Sequence, residues 1–514
     1  MKCKLLTSFL FAVAVMALGS TAVATTWYVN GVSGSNNNNC LSPTTACKTI
    51  EYAISLAASG DLIKVAAATY TENLTIAFSL TIAGSGAPRP IIDGGATNTV
   101  VTISSASAQV VLANVTIRNG NPGGIDNIGT LTVNYSAVTG NTGNKSCFGG
   151  GIANSGTLAI NNSTISGNRV QQLGLCRGFG GGIANSGTLT IYHSHISGNV
   201  GQTANVVVGT AGGGIYNRGM LTINNGTISG NMASGPSQGG GIFNGGTLTI
   251  NNSTISGNTG IGGTNGYHSQ GGGIYNSVSA TLKINNSTVS GNKVLYQGQG
   301  GGIFNGGTLI INNATISANG GANGSLFGGN LYGTARMQNS IIANSLSGGN
   351  CHGTVASKGY NLSSDGTCNL TNTGDLNNTD PMLGPLQSNG GPTQTMALPS
   401  GSPAIDAGNP NGCTDSGGHL LTTDQRGQPR PDKEDSVGCD MGAYESQNVA
   451  SGPFLTGYCV TWGGYPPGCH KAVDLTHCPP GRPAAGVSSN SCGKYSAWSI
   501  CQVPGFEGGK CLVQ

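Results

Sequence analysis

The chain has 514 residues, 89 of them glycine, only 8% charged, and a formal net charge of +3. So few cations, with no aromatic–basic interleaving, exclude a nucleic-acid reader. Regular aliphatic spacing within the Gly- and Asn-rich background excludes a disordered chain.

Met1–Ala24 reads as a secretory signal. Lys2 and Lys4 precede an apolar run from Leu5 to Leu18, and Ala22-Val23-Ala24 offers a cleavage site after Ala24. No cysteine would stand at the new N-terminus, which argues against lipoprotein anchoring. No later stretch is long and apolar enough to span a membrane as a helix. The expected location is secreted, extracellular or at the cell surface, including an outer-membrane-associated position in a bacterium.

Residues 25–118 are expected to form an N-terminal cap and the first coils of a solenoid. Trp27–Asn30 has the composition of a first strand. Ile50, Ile54 and Ala57 then recur at helical spacing within Lys48–Ala58, giving a helix suited to lie across an open end.

Residues 119–345 carry a repeat, written most cleanly as GGGIFNGGTLTINNSTISGN at Gly239–Asn258. The isoleucine after the glycines falls at Ile125, Ile152, Ile183, Ile215, Ile242, Ile274 and Ile303, at intervals of 27, 31, 32, 27, 32 and 29 residues. Units of this length cannot bury a core alone and stack as a solenoid. Leu158, Ile160 and Ile165 alternate with polar residues at period two, so the segments are short strands. Three strands and three corners make one coil, with Ile stacked on Ile from rung to rung. Asn154, Asn185, Asn217, Asn244, Asn276 and Asn305 recur at one corner and predict an amide ladder there. The intervals vary through insertions at a single corner, so these should line one side, a common site for a binding face.

Cysteine usage agrees with export. Fourteen cysteines remain after Cys3. Cys40/Cys47, Cys147/Cys176, Cys351/Cys368 and Cys413/Cys439 are neighbouring candidates for disulfides, and six more lie in the tail. The tail spacings match no zinc-finger pattern, so no metal is expected and no cofactor is assigned.

Cys47–Ile76, with Gly60-Asp61-Leu62-Ile63-Lys64-Val65 at its centre, resembles the opening of pectin lyase-like proteins. That resemblance implies a right-handed parallel β-helix. The GGGI-x-N repeat is similar to that of polymorphic outer-membrane proteins, although no barrel-like strands follow it here. Residues 346–446 resemble the choice-of-anchor Q domain. The series includes Gly401-Ser402-Pro403-Ala404-Ile405-Asp406, Asp424-Gln425-Arg426-Gly427, Arg430-Pro431 and Asp440–Glu445. The resemblance implies surface attachment, but no sorting motif with a hydrophobic tail follows. Residues 447–514 read as a small disulfide-held module.

The fold class expected is therefore all-β: a right-handed parallel β-helix with an N-terminal cap and a C-terminal disulfide-rich tail. Polysaccharide lyases and hydrolases need carboxylates as acid and base, or to hold calcium. From Asn127 to Ser364 there are eight Lys or Arg and no Asp or Glu. No catalytic residues are assigned. Asp406, Asp424, Arg426, Arg430, Asp440 and Glu445 are expected to organise turns in the anchor-like segment. His193 and His195, flanking Ser194, are expected to share an outward strand face. Arg177, Tyr267, His268 and Tyr296, all in insertions, are the side chains best suited to grip or stack on sugars. The function expected is adhesin-like binding of glycans or cell surfaces, without enzymatic activity. A lyase or hydrolase of the same fold is the alternative, and a structural spacer the second alternative. The oligomeric state is open.

Overall fold

The computed structural model describes residues 24–143, 149–172, 179–203, 209–262, 268–296, 298–322, 326–432 and 438–447, together with the backbone of two short strands, Ala484–Ala485 and Ile500–Cys501. The segment before Ala24, expected to be a signal, Cys147, Cys176 and the side chains of the tail lie outside the described residues.

The chain is a right-handed parallel β-helix built on three long sheets. Sheet 1 has 13 strands of the Thr157–Asn161 type, sheet 2 has 11 of the Ile152–Asn154 type, and sheet 3 has 12 of the Thr164–Ser166 type. Each coil contributes one strand to each sheet in the order 2, 1, 3. Register is strict: Ile152 pairs with Ile183, Leu158 with Leu189 and Ile165 with Ile196. The inward residues form fully buried columns, Ile125, Ile152, Ile183, Ile215, Ile242, Ile274 and Ile303 among them. Burial of each aliphatic side chain contributes about 1.5–3 kcal/mol, which offsets the ordering entropy of so many glycines.

The glycine triplet that opens each repeat has a steric cause. At Gly212 φ is +65°, and a Cβ would sit 2.1 Å from the Ile215 carbonyl oxygen. At Gly213 a Cβ would sit 2.4 Å from the Gly240 carbonyl oxygen of the next rung. The corner therefore closes and stacks only without side chains.

The predicted amide ladder runs from Asn127 through Asn154, Asn185, Asn217, Asn244 and Asn276 to Asn305, each Nδ2 donating to the next Oδ1 at 2.7–2.8 Å. A second ladder, not anticipated, runs through Asn141, Asn168, Asn199, Asn231, Asn258, Asn292, Asn319, Asn330 and Asn350 at 2.9–3.0 Å. Its members are also buried, and Asn199 Nδ2 additionally donates to the Ile165 carbonyl at 2.9 Å. Buried backbone at a corner needs partners, and an Asn on every rung supplies both a donor and an acceptor.

The insertions line one side, as expected, and they do so as strands. They leave sheet 3 as strands, such as Arg169–Gln172 and Val200–Thr203, and form a fourth sheet of seven strands. Return segments pair in turn, Ser269–Gln270 with Gly298–Gln299 and these with Leu326–Phe327. Parallel excursions from adjacent rungs satisfy each other's backbone groups, so a fin of strands grows from one corner.

At the N-terminal end the helix is α1, Ile50–Leu56, with Ile50, Ala53 and Ile54 buried on the core. The Glu72 carboxylate accepts the free N–H groups of Ile50 and Glu51 at 3.0 and 2.8 Å, as a helix N-terminus favours. The disulfide Cys40–Cys47 ties the preceding loop. At the other end the coils run past residue 345: Cys351–His352, Val355–Ser357 and Leu362–Ser363 extend sheets 2, 1 and 3. Cys351–Cys368 closes that end. Residues 380–432 and 438–446 then return along the outside of sheet 3 as a strap, stapled by Cys413–Cys439. Three disulfides fit an oxidising, extracytoplasmic compartment. No helix among the described residues is long and apolar enough to cross a membrane.

Candidate functional site

The outward residue of each sheet 2 strand forms a column: Asp126, Ala153, Ala184, Tyr216, Phe243, Tyr275, Phe304, Tyr332 and His352. From Tyr216 onward the rings stack on one another, with centroids 4.8–5.3 Å apart and interplanar angles of 2–16°. Phe179 of the fin covers the first ring at 4.2 Å. Ring faces are thus spent on neighbouring rings, and this row stabilises the stack without offering a free face to a ligand.

Where the column switches to alanine the row stops, and a cleft opens with a volume of about 570 Å³. Ala153 and Ala184 form its floor, and Thr99, Pro122 and Asp126 close one end. Tyr216 and Arg218 stand at the other end, the guanidinium 5.7 Å from the centre of the Tyr216 ring. Ser155 and Ser186 lie along one rim. The lining is more apolar than polar around these few polar groups, as in sites for small organic ligands.

The Asp126 carboxyl lies above the usual carboxylate range because the cleft walls strip part of its hydration. Three rungs separate it from Arg218, about 14 Å at the spacing of adjacent strands. One carboxylate with a distant guanidinium supplies groups suited to binding and orienting a ligand. It does not supply two carboxylates flanking one bond, which glycoside hydrolysis requires at about 5–9.5 Å. No further carboxylate lines the cleft, and no cluster of three metal-ligating side chains occurs among the described residues.

Of the four side chains singled out from sequence, the two that are described, His268 and Tyr296, do not line the cleft. His268 is exposed in the fin, and Tyr296, 52% exposed, has left-handed backbone at φ 59°. Both belong to rungs beyond the cleft. Arg177 and Tyr267 lie outside the described residues. His193 and His195 do not share a strand face: His193 occupies a corner at φ 45°, and His195 begins the next strand. The cleft itself escaped sequence reading. Its signal was the change from Ala to aromatic down one column of the aligned repeats.

Of the carboxylates singled out in the anchor-like segment, Asp424, Asp440 and Glu445 are buried in the strap, whereas Asp406 is exposed. Arg430, with no exposed surface, donates from Nε to Glu445 Oε2 at 2.7 Å, from Nη1 to Asn286 Oδ1 at 3.0 Å and from Nη2 to the Gly442 carbonyl at 2.8 Å. Arg426 pairs with Asp424 at 2.7 Å and lies 3.6 Å over the Tyr444 ring. Burial, and then the Glu445 charge, push Asp440 up to about 7. Burial likewise raises Glu445, opposed by Arg430. This cluster binds strap to solenoid and is closed to substrate.

No family model matches the chain, and no curated protein sequence matches it. Among solved structures, the crystal structure of pectate lyase Pel9A is 18% identical, covering 82% of this chain and 96% of its own, with a TM-score of 0.44. The complex of XylC with xylose is 10% identical over 82% and 98%, with a TM-score of 0.49. The deglycosylated pectin methylesterase from Aspergillus niger is 14% identical over 67% and 84%, with a TM-score of 0.20.

Proposed function

We propose that this chain is an extracellular, adhesin-like glycan-binding β-helix that works without turnover. The observation that carries the reading is the cleft on sheet 2. It has an alanine floor two rungs long, a guanidinium at one end, and a single carboxylate about 14 Å away. The floor accepts the C–H face of a sugar. Arg218 meets a hydroxyl or carboxylate substituent, and Ser155 and Ser186 add hydrogen bonds along the rim. In the choice-of-anchor Q reading of the C-terminal segment, Asp424, Arg426, Arg430, Asp440 and Glu445 are the buried clamp of the strap. A folding role for that signature fits a surface protein better than a second active centre.

The test is retention of the purified protein on immobilised acidic and neutral polysaccharides, followed by calorimetry on the best oligosaccharide. Ala184→Trp fills the floor, and Arg218→Gln removes the cation. Loss of binding in both variants, with unchanged unfolding midpoints, supports the reading. Full binding by Ala184→Trp removes the cleft from consideration.

A further inference from the structure

The corner between sheets 1 and 3 follows a rule that two rungs break. The repeat places Asn-Asn there, followed by Ser or Gly, and the second Asn adopts left-handed backbone: Asn162, Asn225, Asn252 and Asn286 have φ of 48–51°. Asparagine tolerates this conformation and histidine is also found in it, whereas a bulky residue such as tyrosine is strained. Yet Tyr135 takes the position at φ 48° and His193 at φ 45°. Neither side chain contributes to the core. Tyr135 is 59% exposed, and Tyr192, beside His193, is 43% exposed.

Tyr192 carries a second cost. The preceding residue of this corner forms an outer amide ladder, Asn161 to Asn134 at 2.9 Å and Asn251 to Asn224 at 2.9 Å. Tyr192 pairs in register with Asn161 and Asn224, and so interrupts the ladder. Two rungs thus give up backbone ease, and the Tyr192 rung gives up outer-ladder bonds as well, to place rings in solvent. Strain held at exposed side chains is a mark of binding sites.

The rings are arranged to hold something. Tyr135, Asn162 and His193 are successive members of one column, since the amide of Tyr135 bonds the carbonyl of Asn161 and that of Asn162 bonds the carbonyl of Tyr192. Two rungs, about 9.6 Å, separate Tyr135 from His193. A flat ring flanked on both faces at van der Waals contact needs about 7–8 Å. Tyr192 packs edge-on against His193 with centroids 4.1 Å apart, and the imidazole leans toward Asn225, Nε2 to Nδ2 3.4 Å. The Asn162 carboxamide, exposed on the floor between, has no hydrogen-bond partner among the described residues. His195 stands exposed on the same rung.

We infer that Tyr135, Asn162, Tyr192 and His193 form a second glycan subsite, on a different face from the sheet 2 cleft, that takes one pyranose of a neutral hexose chain. Apolar sugar faces pack on the rings, and hydroxyls meet the Asn162 amide. The inference shares the glycan class with the proposed function but rests on different residues.

The experiment reverts the breaks to the repeat's own residues, Tyr135→Asn and the pair Tyr192→Asn with His193→Asn. The full purified protein is titrated with cellohexaose, mannohexaose and chitohexaose, and unfolding midpoints are read in parallel. The subsite predicts binding of at least one neutral hexasaccharide and about a tenfold loss in each variant. It also predicts a rise in midpoint of about 1–2 °C as strain is relieved. A rise in midpoint with unchanged affinity overturns the subsite, as does failure of all three probes to bind. Binding confined to acidic oligosaccharides and abolished by Arg218→Gln overturns it while leaving the cleft standing.

Discussion

One corner of the solenoid is used in two ways along its length. Over the C-terminal coils it lies beneath the strap. There Asn286 Nδ2 donates to the Thr423 carbonyl at 3.1 Å and Asn313 Nδ2 to the Thr414 carbonyl at 2.7 Å. Thr254, Thr288 and Thr315, outward residues of sheet 3, are buried against Gln394, Gln425 and Ala443. Over the earlier coils the same corner is open, and Tyr135, Asn162, Tyr192, His193 and His195 stand on it. Where a second backbone must be satisfied the repeat keeps asparagine, whose short amide offers two donors and an acceptor. On the open coils Asn162 and Asn225 keep the repeat, and two rungs depart from it toward rings, at Tyr135 and at Tyr192-His193. The solenoid is uniform inside, and its functions are written in what each outer column meets.

That contrast can be broken most severely at the strap's clamp. Arg430→Ala leaves the Glu445 carboxylate buried without its cation, and Glu445 Oε1 already has no hydrogen-bond partner. A loss of about 3–5 kcal/mol is expected. Denaturant unfolding and protease release of residues 380–446 check it. Arg430→Met combined with Glu445→Leu is expected to recover most of that loss, because no uncompensated charge remains.

Asn199→Ala tests the interior that both halves share. It orphans the amide N–H of Asn168, which bonds Asn199 Oδ1 at 3.0 Å, leaves Asn168 Nδ2 with only its bond to the Val138 carbonyl, and frees the Ile165 carbonyl. About 2–4 kcal/mol is expected, from orphaned groups at about 1–3 kcal/mol each, read by denaturant unfolding.

The strap alone is expected to respond to pH near neutrality. Folded Asp440 keeps its proton up to about pH 7, whereas the unfolded chain loses it near 3.8. The folded state therefore holds the extra proton between those values. The stabilisation is fully present below the lower one and is lost as pH rises through about 7. Glu445 shifts in the same direction. Asp415, also in the strap, is lowered chiefly by hydrogen bonds from His419 and Gly417 against the cost of burial, and acts only below the usual carboxylate range. Proteolysis of the strap should accelerate from pH 5 to pH 8 and flatten in Asp440→Asn. The smallest effect belongs to the outer ladder: Asn161→Ala removes one half-exposed bond to Asn134 and is expected to cost less than about 1 kcal/mol.

Period-two alternation and the recurrent Ile and Asn made the coil legible in the sequence, because each is a local consequence of stacking. Cys40–Cys47, Cys351–Cys368 and Cys413–Cys439 were legible from proximity along the chain. The strap was not. Its contacts join Thr254 to Gln425, residues 171 apart, and nothing local records where a segment returns. The cleft was hidden for another reason. Ala153 and Ala184 are unremarkable in their own strands and matter only beside Tyr216 in the neighbouring rung. Tyr135 and Tyr192-His193 were visible as departures from the repeat, but their meaning depended on a backbone angle.

The most direct test of the central claim, binding without turnover, is a product assay on the purified protein with its disulfides formed. Acidic and neutral polysaccharides, with and without calcium, are followed for new reducing ends and unsaturated uronates, while retention is measured on the same polymers. The account predicts retention that depends on Arg218 and Ala184, with no product above a heat-inactivated control. Product release abolished by Asp126→Asn would contradict it and make the cleft an active site.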